Sequence, residues 1–401
     1  MNTRPAPASA WSVEAHRDRV EQLLRPLAWR EIDRVPMTAA LGRRLAADVV
    51  APVDLPVFRN SAMDGYAVRS ASLATVPVTL PLAGVIAAGD HGGTPLPDGA
   101  ALKIMTGAPL PPGADCVVPV EDTVTDGVTV TIEQARATGD FVREPGTDVR
   151  TGDLLVAAGT LVAPRHIAVL AAVGLTTVPV FRPVHAAVLT TGDELVPAGT
   201  PLGPGQIYDS NGIALAAALA ANGVEVVSIE HSRDDAASFR EQLTAATESA
   251  DVVFTSGGVS KGDFEVVKDV LATLGGEFGS VAMQPGGPQG LSVIGGVPVL
   301  SFPGNPVSTL VSFEVFARPI LRELAGLPAI PGYAVPLRVP VRSPAGRRQF
   351  LRGRLESGGV TLVSGPGSHL IAAMAQADVL IDIPAAATEL AAGTTVEVRE
   401  L

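Results

Sequence analysis

The residues best suited to chemistry lie in three turns: Thr190-Thr191-Gly192-Asp193-Glu194, Thr255-Ser256-Gly257-Gly258-Val259-Ser260 and Phe302-Pro303-Gly304-Asn305-Pro306. Each follows a short apolar run and precedes a helical pattern. In a parallel α/β sheet such turns gather at one rim, where ligands bind. Glycine lets the backbone approach a ligand closely, and the amides at a helix start attract phosphate or another oxyanion. Ser256 and Ser260 add hydroxyls, so the rim points to an anion-handling site. Asp263 and Glu265 follow the second turn, and carboxylates beside a phosphate site suit a hard cation such as Mg2+. Either alone could simply cap a helix or favour its first turn. The pair after a Ser-Gly-Gly turn points to function. Glu194 and Asp193 share the predicted rim, and Asp234 after the next strand could reach the same crevice or cap a helix together with Asp235. Pro303 and Pro306 fix the third turn, Pro306 suits a first helical position, and Gly304 and Asn305 complete a rigid ligand wall.

Other polar runs are plainer. Asn60-Ser61-Ala62-Met63-Asp64-Gly65-Tyr66-Ala67, and Lys103 to Pro109 with Thr106 at a strand-to-turn junction, read on their own as ordinary turns. Arg348, Phe350, Arg352 and Arg354 alternate and predict a cationic row on one face of a strand, solvated or meeting an oxyanion. Gly367-Ser368-His369 is a further polar turn, in which His369 reads as a surface or capping residue. No Gly-x-Ser-x-Gly elbow, P-loop or metal-spaced His/Cys cluster occurs, so spacing gives no catalytic triad.

The elements that must hold these turns alternate cleanly over residues 185–327. Strands are predicted at 185–190, 224–229, 251–255 and 297–302, and helices at 210–222, 235–250, 263–274 and 306–325. That order implies a mostly parallel sheet covered on both faces, a three-layer α/β domain over 184–327. An extended pair between 278 and 295, joined by Pro285-Gly286-Gly287-Pro288, predicts an antiparallel edge. Residues 52–145 are rich in short alternating runs and predict a β domain, inserted into a region formed by 1–51 and 146–183. Residues 330–401 predict a small C-terminal β unit of barrel-like form. The fold class is therefore a multidomain α/β protein.

Composition narrows the function. A formal charge of −12 and no basic stripe argue against nucleic acid as partner. The single cysteine, Cys116, excludes an intrachain disulfide framework and reads as a buried strand residue. The N-terminal stretch lacks the apolar segment of a signal peptide, and the apolar run 213–221 is too short to span a bilayer. A cytoplasmic protein with no membrane partner is expected.

Taken in order, the motifs resemble the MoeA family, the molybdopterin molybdenumtransferases, which include the E domain of gephyrin. The resemblance runs from about Glu14 to the C-terminus. It rests on Asn60 to Val68, Ile104 to Pro109, Gly113-Ala114-Asp115, Thr191 to Leu195, Gln206 to Asn211, Ser256 to Ser260, Phe302 to Ser308 and Gly367 to His369. It implies a transferase that inserts molybdate into adenylylated molybdopterin with Mg2+-dependent release of AMP. It also implies a homodimer with the active cleft between subunits, and a molybdopterin adenylyltransferase as upstream partner. By resemblance the central domain binds molybdopterin, with Ser256, Gly257, Gly258, Ser260, Pro303, Asn305, Pro306 and Ser308 on the pterin phosphate side. Glu194, Asp234, Glu265 and Thr106 match catalytic positions, and Asp234, Asp263 and Glu265 the metal. Arg352 and Ser368 match the molybdate pocket, and Asp64 falls in the first motif. The chain departs from the family at Arg59 and Glu265, where Asp is common. It departs again at Gln284 and Gly287, where some relatives have lysines that contact molybdate. Lys261 or Arg59 is the expected replacement cation. Alternatives are a MogA-like adenylyltransferase, a non-catalytic scaffold, and a paralogue that prefers tungstate or does not turn over.

Overall fold

The computed structural model describes residues 10–259 and 265–401. The chain divides into two compact units, Met1–Asp33 with Phe181–Leu401, and Arg34–Val180.

The larger unit is built on a six-stranded sheet in the order Val224–Ser232, Val184–Thr191, Val252–Ser256, Val297–Phe302, Pro288–Ile294, Glu277–Ser280. The first four strands are parallel and the last two antiparallel, as the sequence pattern predicts. Alternation explains why the sheet is covered on both faces. Ala186 and Val188 face one core with Leu215, Leu219 and Phe302, while Ala187 and Leu189 face the other with Phe239, Leu243 and Val267. Burying such side chains is worth about 25 cal/mol per Å2 of apolar surface. The helices are Asn211–Ala221, Ala236–Ser249 and Val266–Thr273. Asp235 caps the second through the amides of Ala237 and Ser238, and Asp209 rather than Ser210 accepts from Gly212 at the start of the first.

The predicted single helix over 306–325 is instead Pro306–Ser312, a wide π turn at Phe313–Ala317, and Arg318–Ala325. Pro319 has no amide to give the Val315 carbonyl, and the widened turn absorbs that gap. Arg17 Nε donates to the stranded carbonyl at 3.2 Å.

Residues 10–33 differ from the expected grouping with 146–183. The helix Val13–Leu24 places Val13, Val20 and Leu24 in the core of the larger unit beside Phe316 and Ile320. An amphipathic helix settles where its apolar stripe is covered. One segment joins the α/β layers to the C-terminal sheet: Met283–Gln284 pairs with Arg348–Glu356, and the sheet continues through Val379–Ile383 and Thr395–Glu400 to Tyr333–Pro336. The expected cationic row on Arg348–Glu356 is not a solvated face. Arg348 is bidentate to Asp382 at 2.6 and 2.7 Å, Phe350 and Arg352 are buried, and Arg354 donates to the Gln376 carbonyl.

The smaller unit carries another six-stranded sheet, in the order Cys116–Pro119, Gly65–Val68, Ala101–Ile104, Val78–Ile86, Thr129–Ile132, Thr123–Thr125. Its flanks pair with each other, Val49–Val50 with Leu154–Val156, so the β segment is inserted between them. Cys116 is fully buried, and burial with Asp115 alongside pushes its thiol up to about 12. The native protein at pH 8 is therefore expected to resist iodoacetamide over hours and to be labelled within minutes in denaturant, as mass spectrometry would record. Among the described residues no helix is long and apolar enough to cross a membrane.

Candidate functional site

Three parallel strands of the larger unit end in the predicted turns, and their ends enclose a cleft of about 630 Å3. One wall is backbone. Gly257 has φ +104°, and a Cβ there would stand 2.7 Å from both the Thr191 carbonyl and its hydroxyl. Gly304 abuts the same turn, with the position of its missing Cβ 3.3 Å from Gly257 Cα. The close approach of the first and second turns requires glycine at 257, and Gly304 lets the third pack tightly beside them.

Hydrogen bonds lock them together. Asn211 Nδ2 donates to Ser256 Oγ at 3.0 Å and to the Gly304 carbonyl at 2.7 Å. Thr309 Oγ1 lies 3.1 Å from Ser256 Oγ and donates to the Pro303 carbonyl at 2.6 Å. Ser256 is thus a buried strut in the cleft wall, beside Gly257, Gly258, Asn305 and Pro306. Asn211 and Thr309 are the residues that motif reading left without a role. Both sit one helical turn or less inside a helix start, opposite a turn rich in backbone acceptors.

The cleft is also acidic. Glu194, Asp234 and Glu265 are among the acids of the cleft lining. Asp193 and Asp234 exchange backbone amide bonds, each 3.3 Å long. Burial, then the charges of Asp193 and Glu194, hold the Asp234 carboxyl above the usual carboxylate range. Like charges gathered without a neutralising cation raise a carboxyl pKa, and a bound cation reverses the effect. Among the described residues no three His, Cys, Asp or Glu side chains gather into a metal cage. Mg2+ is commonly held by one or two carboxylates plus substrate phosphates, so this donor set fits it. Of the expected metal ligands and turn residues, Asp263, Ser260 and Lys261 lie outside the described residues.

A second cleft of about 490 Å3 adjoins the first, sharing Gly304, Asn305 and His369. Pro303, Ser308 and Ser368 line it, as do Gln284 and Gly287. Arg352 does not. It is fully buried, and its Nη2 donates to the Gly365 carbonyl at 2.6 Å and the Gly367 carbonyl at 3.1 Å. The strand turns Arg352 inward, so it shapes the turn that presents Ser368. The cation on the cleft wall is Arg347, exposed and, among the described residues, without an ion-pair partner. Its signal in the sequence is the Gly346-Arg347 turn that precedes the strand. Arg352→Met is expected to raise amide hydrogen exchange over 365–368 by at least about tenfold, since two carbonyls lose their donor. Unchanged exchange would show that other contacts hold the turn.

Thr106 and Asp64 meet in the smaller unit. The Thr106 amide and hydroxyl donate to Asp64 Oδ1 at 2.7 and 2.8 Å, and these bonds hold Asp64 below its usual range. Arg59 donates to Glu144 at 2.7 Å, so its charge is already engaged.

Comparison with known proteins covers nearly the whole chain. Family models described as the MoeA N-terminal region (domain I and II), "Probable molybdopterin binding domain" and the MoeA C-terminal region (domain IV) match residues 11–174, 187–323 and 334–401. Molybdopterin molybdenumtransferase 2 of Mycobacterium tuberculosis is 45% identical over 97% of this chain and 99% of its own length. The molybdopterin molybdenumtransferase of Haemophilus influenzae is 33% identical over 96% and 97%. The crystal structure of a molybdopterin biosynthesis moeA protein from Pyrococcus horikosii superposes with a TM-score of 0.82 at 34% identity, covering 98% of this chain and 99% of that one.

Proposed function

The chain belongs to the MoeA family, and we propose that it is a molybdopterin molybdenumtransferase that inserts molybdate into adenylylated molybdopterin and releases AMP with Mg2+. One observation carries the reading: a glycine-walled cleft lined by the acids Glu194, Asp234 and Glu265 opens, through Gly304 and Asn305, into a second cleft bearing Arg347 and Ser368. That pairing suits a substrate with a phosphate linkage at one end and an oxyanion acceptor at the other.

In this mechanism the amides of Gly258 and Val259 bind the phosphate side of the substrate, where a rigid turn costs no reorganisation. Asn211 and Thr309 hold that turn against Gly304 and Pro303. Arg347 and the Ser308 and Ser368 hydroxyls hold molybdate in the second cleft. Two dithiolene sulfurs then replace two molybdate oxygens, which leave as water once protonated. His369, on the wall of both clefts, is placed to pass those protons. Asp234 and Glu194 would hold the Mg2+, which supplies Lewis-acid polarisation of the phosphate linkage when bound. Glu265 lines the same cleft, and Lys261 is the further cation proposed for the substrate.

Homodimer formation is part of the proposal. Ile207, Tyr208, Ile213, Val227 and Ile229 are exposed on the edge strand and adjoining elements, and Ile207 and Tyr208 also line the first cleft. A second copy covering this strip would close the cleft, and Thr106 with Asp64 would act from that copy. A molybdopterin adenylyltransferase would supply the substrate. The test is conversion of adenylylated molybdopterin, with molybdate and Mg2+, into a product that activates a molybdenum-dependent apoenzyme. A protein that binds the pterin but yields no active cofactor would favour the non-catalytic reading instead.

A further inference from the structure

Away from both clefts, the π turn and the C-terminal sheet enclose a separate cavity of about 210 Å3. Its apolar walls are Val315, Pro319, Ile330, Phe350 and Leu380. Its charged rim is less evenly balanced than the residue count suggests. Glu314 is committed to Arg318 and Asp382 to Arg348, while the third acid of the lining, Glu400, accepts from the Tyr333 hydroxyl at 3.4 Å. Arg322 donates only to neutral oxygens, the Pro328 carbonyl and Asn222 Oδ1, both at 2.9 Å. Arg399 finds its nearest carboxylate, Glu397, at 3.9 Å. The Nε atoms of Arg318 and Arg399, both in the lining, are buried without an acceptor among the described residues. Buried guanidinium donors left unpaired cost free energy that an anion recovers. We propose that this cavity binds a small apolar monocarboxylate, its ring or branched chain against Phe350 and Leu380 and its carboxylate on Arg399 and Arg322.

The size agrees: an apolar cavity of about 150 Å3 accommodates benzene, so this one admits a ring carrying a single carboxylate. The site stands independently of the transferase reading. Benzoate is the probe, with benzyl alcohol as its uncharged counterpart, followed by isothermal titration and thermal melting of the full chain. Benzoate is expected to bind at least about tenfold more tightly than benzyl alcohol, since a charge-assisted bond is roughly twice as strong as a neutral one. Arg399→Gln and, separately, Ile330→Trp at the loop wall are each expected to weaken benzoate at least tenfold, and Arg347→Ala to leave it unchanged. Ile330→Trp keeps the test alive if Arg399→Gln misfolds. No binding of benzoate up to 20 mM overturns the proposal. So does binding lost in Arg347→Ala and kept in Ile330→Trp, which would move the anion to the oxyanion cleft.

Discussion

Asp234→Asn is expected to cut turnover by at least about 100-fold, the lower range for losing a group that handles charge or protons in the transition state. Its melting temperature should stay level or rise at neutral pH. The two outcomes come from one arrangement. Burial and the neighbouring Asp193 and Glu194 raise the folded-state pKa of Asp234 above the unfolded value. The folded protein therefore holds the Asp234 proton more tightly than the unfolded chain does. Stability linked to this group is greatest below the unfolded pKa and falls as pH rises through the folded one. At neutral pH the ionised carboxylate is a strain, and asparagine removes it. Mg2+ should raise the wild-type melting temperature and raise that of the variant less. A variant that melts lower yet turns over normally would place Asp234 in the scaffold instead.

Gly257→Ala should be the most damaging single-methyl change in the site. A left-handed φ costs an alanine about 1–2 kcal/mol on its own. Here the methyl would also stand 2.7 Å from the Thr191 carbonyl, which is backbone and cannot swing aside. Gly275→Ala is the control: its φ is +89°, but nothing lies within 4 Å of the added Cβ. The control should lose about 1 kcal/mol, a few degrees, and keep its affinity for adenylylated molybdopterin. Gly257→Ala should lose at least about twice as much and bind at least about tenfold more weakly, because the turn must shift to admit the methyl. Equal losses in both would mean that Thr191 yields and that the turn does not need its close approach.

The central layers were legible because their signal is local. Alternation such as Ala186 to Leu189 sets strand faces, and Asp235 marks a helix start by its own side chain. The three turns were legible as well, since glycine and proline between a strand and a helix leave few conformations. What escaped depended on partners distant in sequence. The break at Phe313–Ala317 is written in Pro319, but its repair comes from Arg17, some 298 residues from Val315. Strand alternation placed Arg348, Arg352 and Arg354 on one face, yet could not tell that the face is interior at Arg352. It also gave no reason to single out Arg347, which precedes the strand and reaches the second cleft. Asn211 carries two inter-turn bonds that only the folded arrangement brings together.

The central claim is that the first cleft holds adenylylated molybdopterin while the adjoining one holds molybdate. The most direct measurement is the rate of AMP release against molybdate concentration, with Mg2+, for the wild type and for Arg347→Ala. The account predicts saturable, molybdate-dependent release, with the half-saturating concentration raised at least about tenfold in the variant and pterin binding unchanged. AMP release that ignores molybdate, or a variant with the wild-type molybdate dependence, would contradict it.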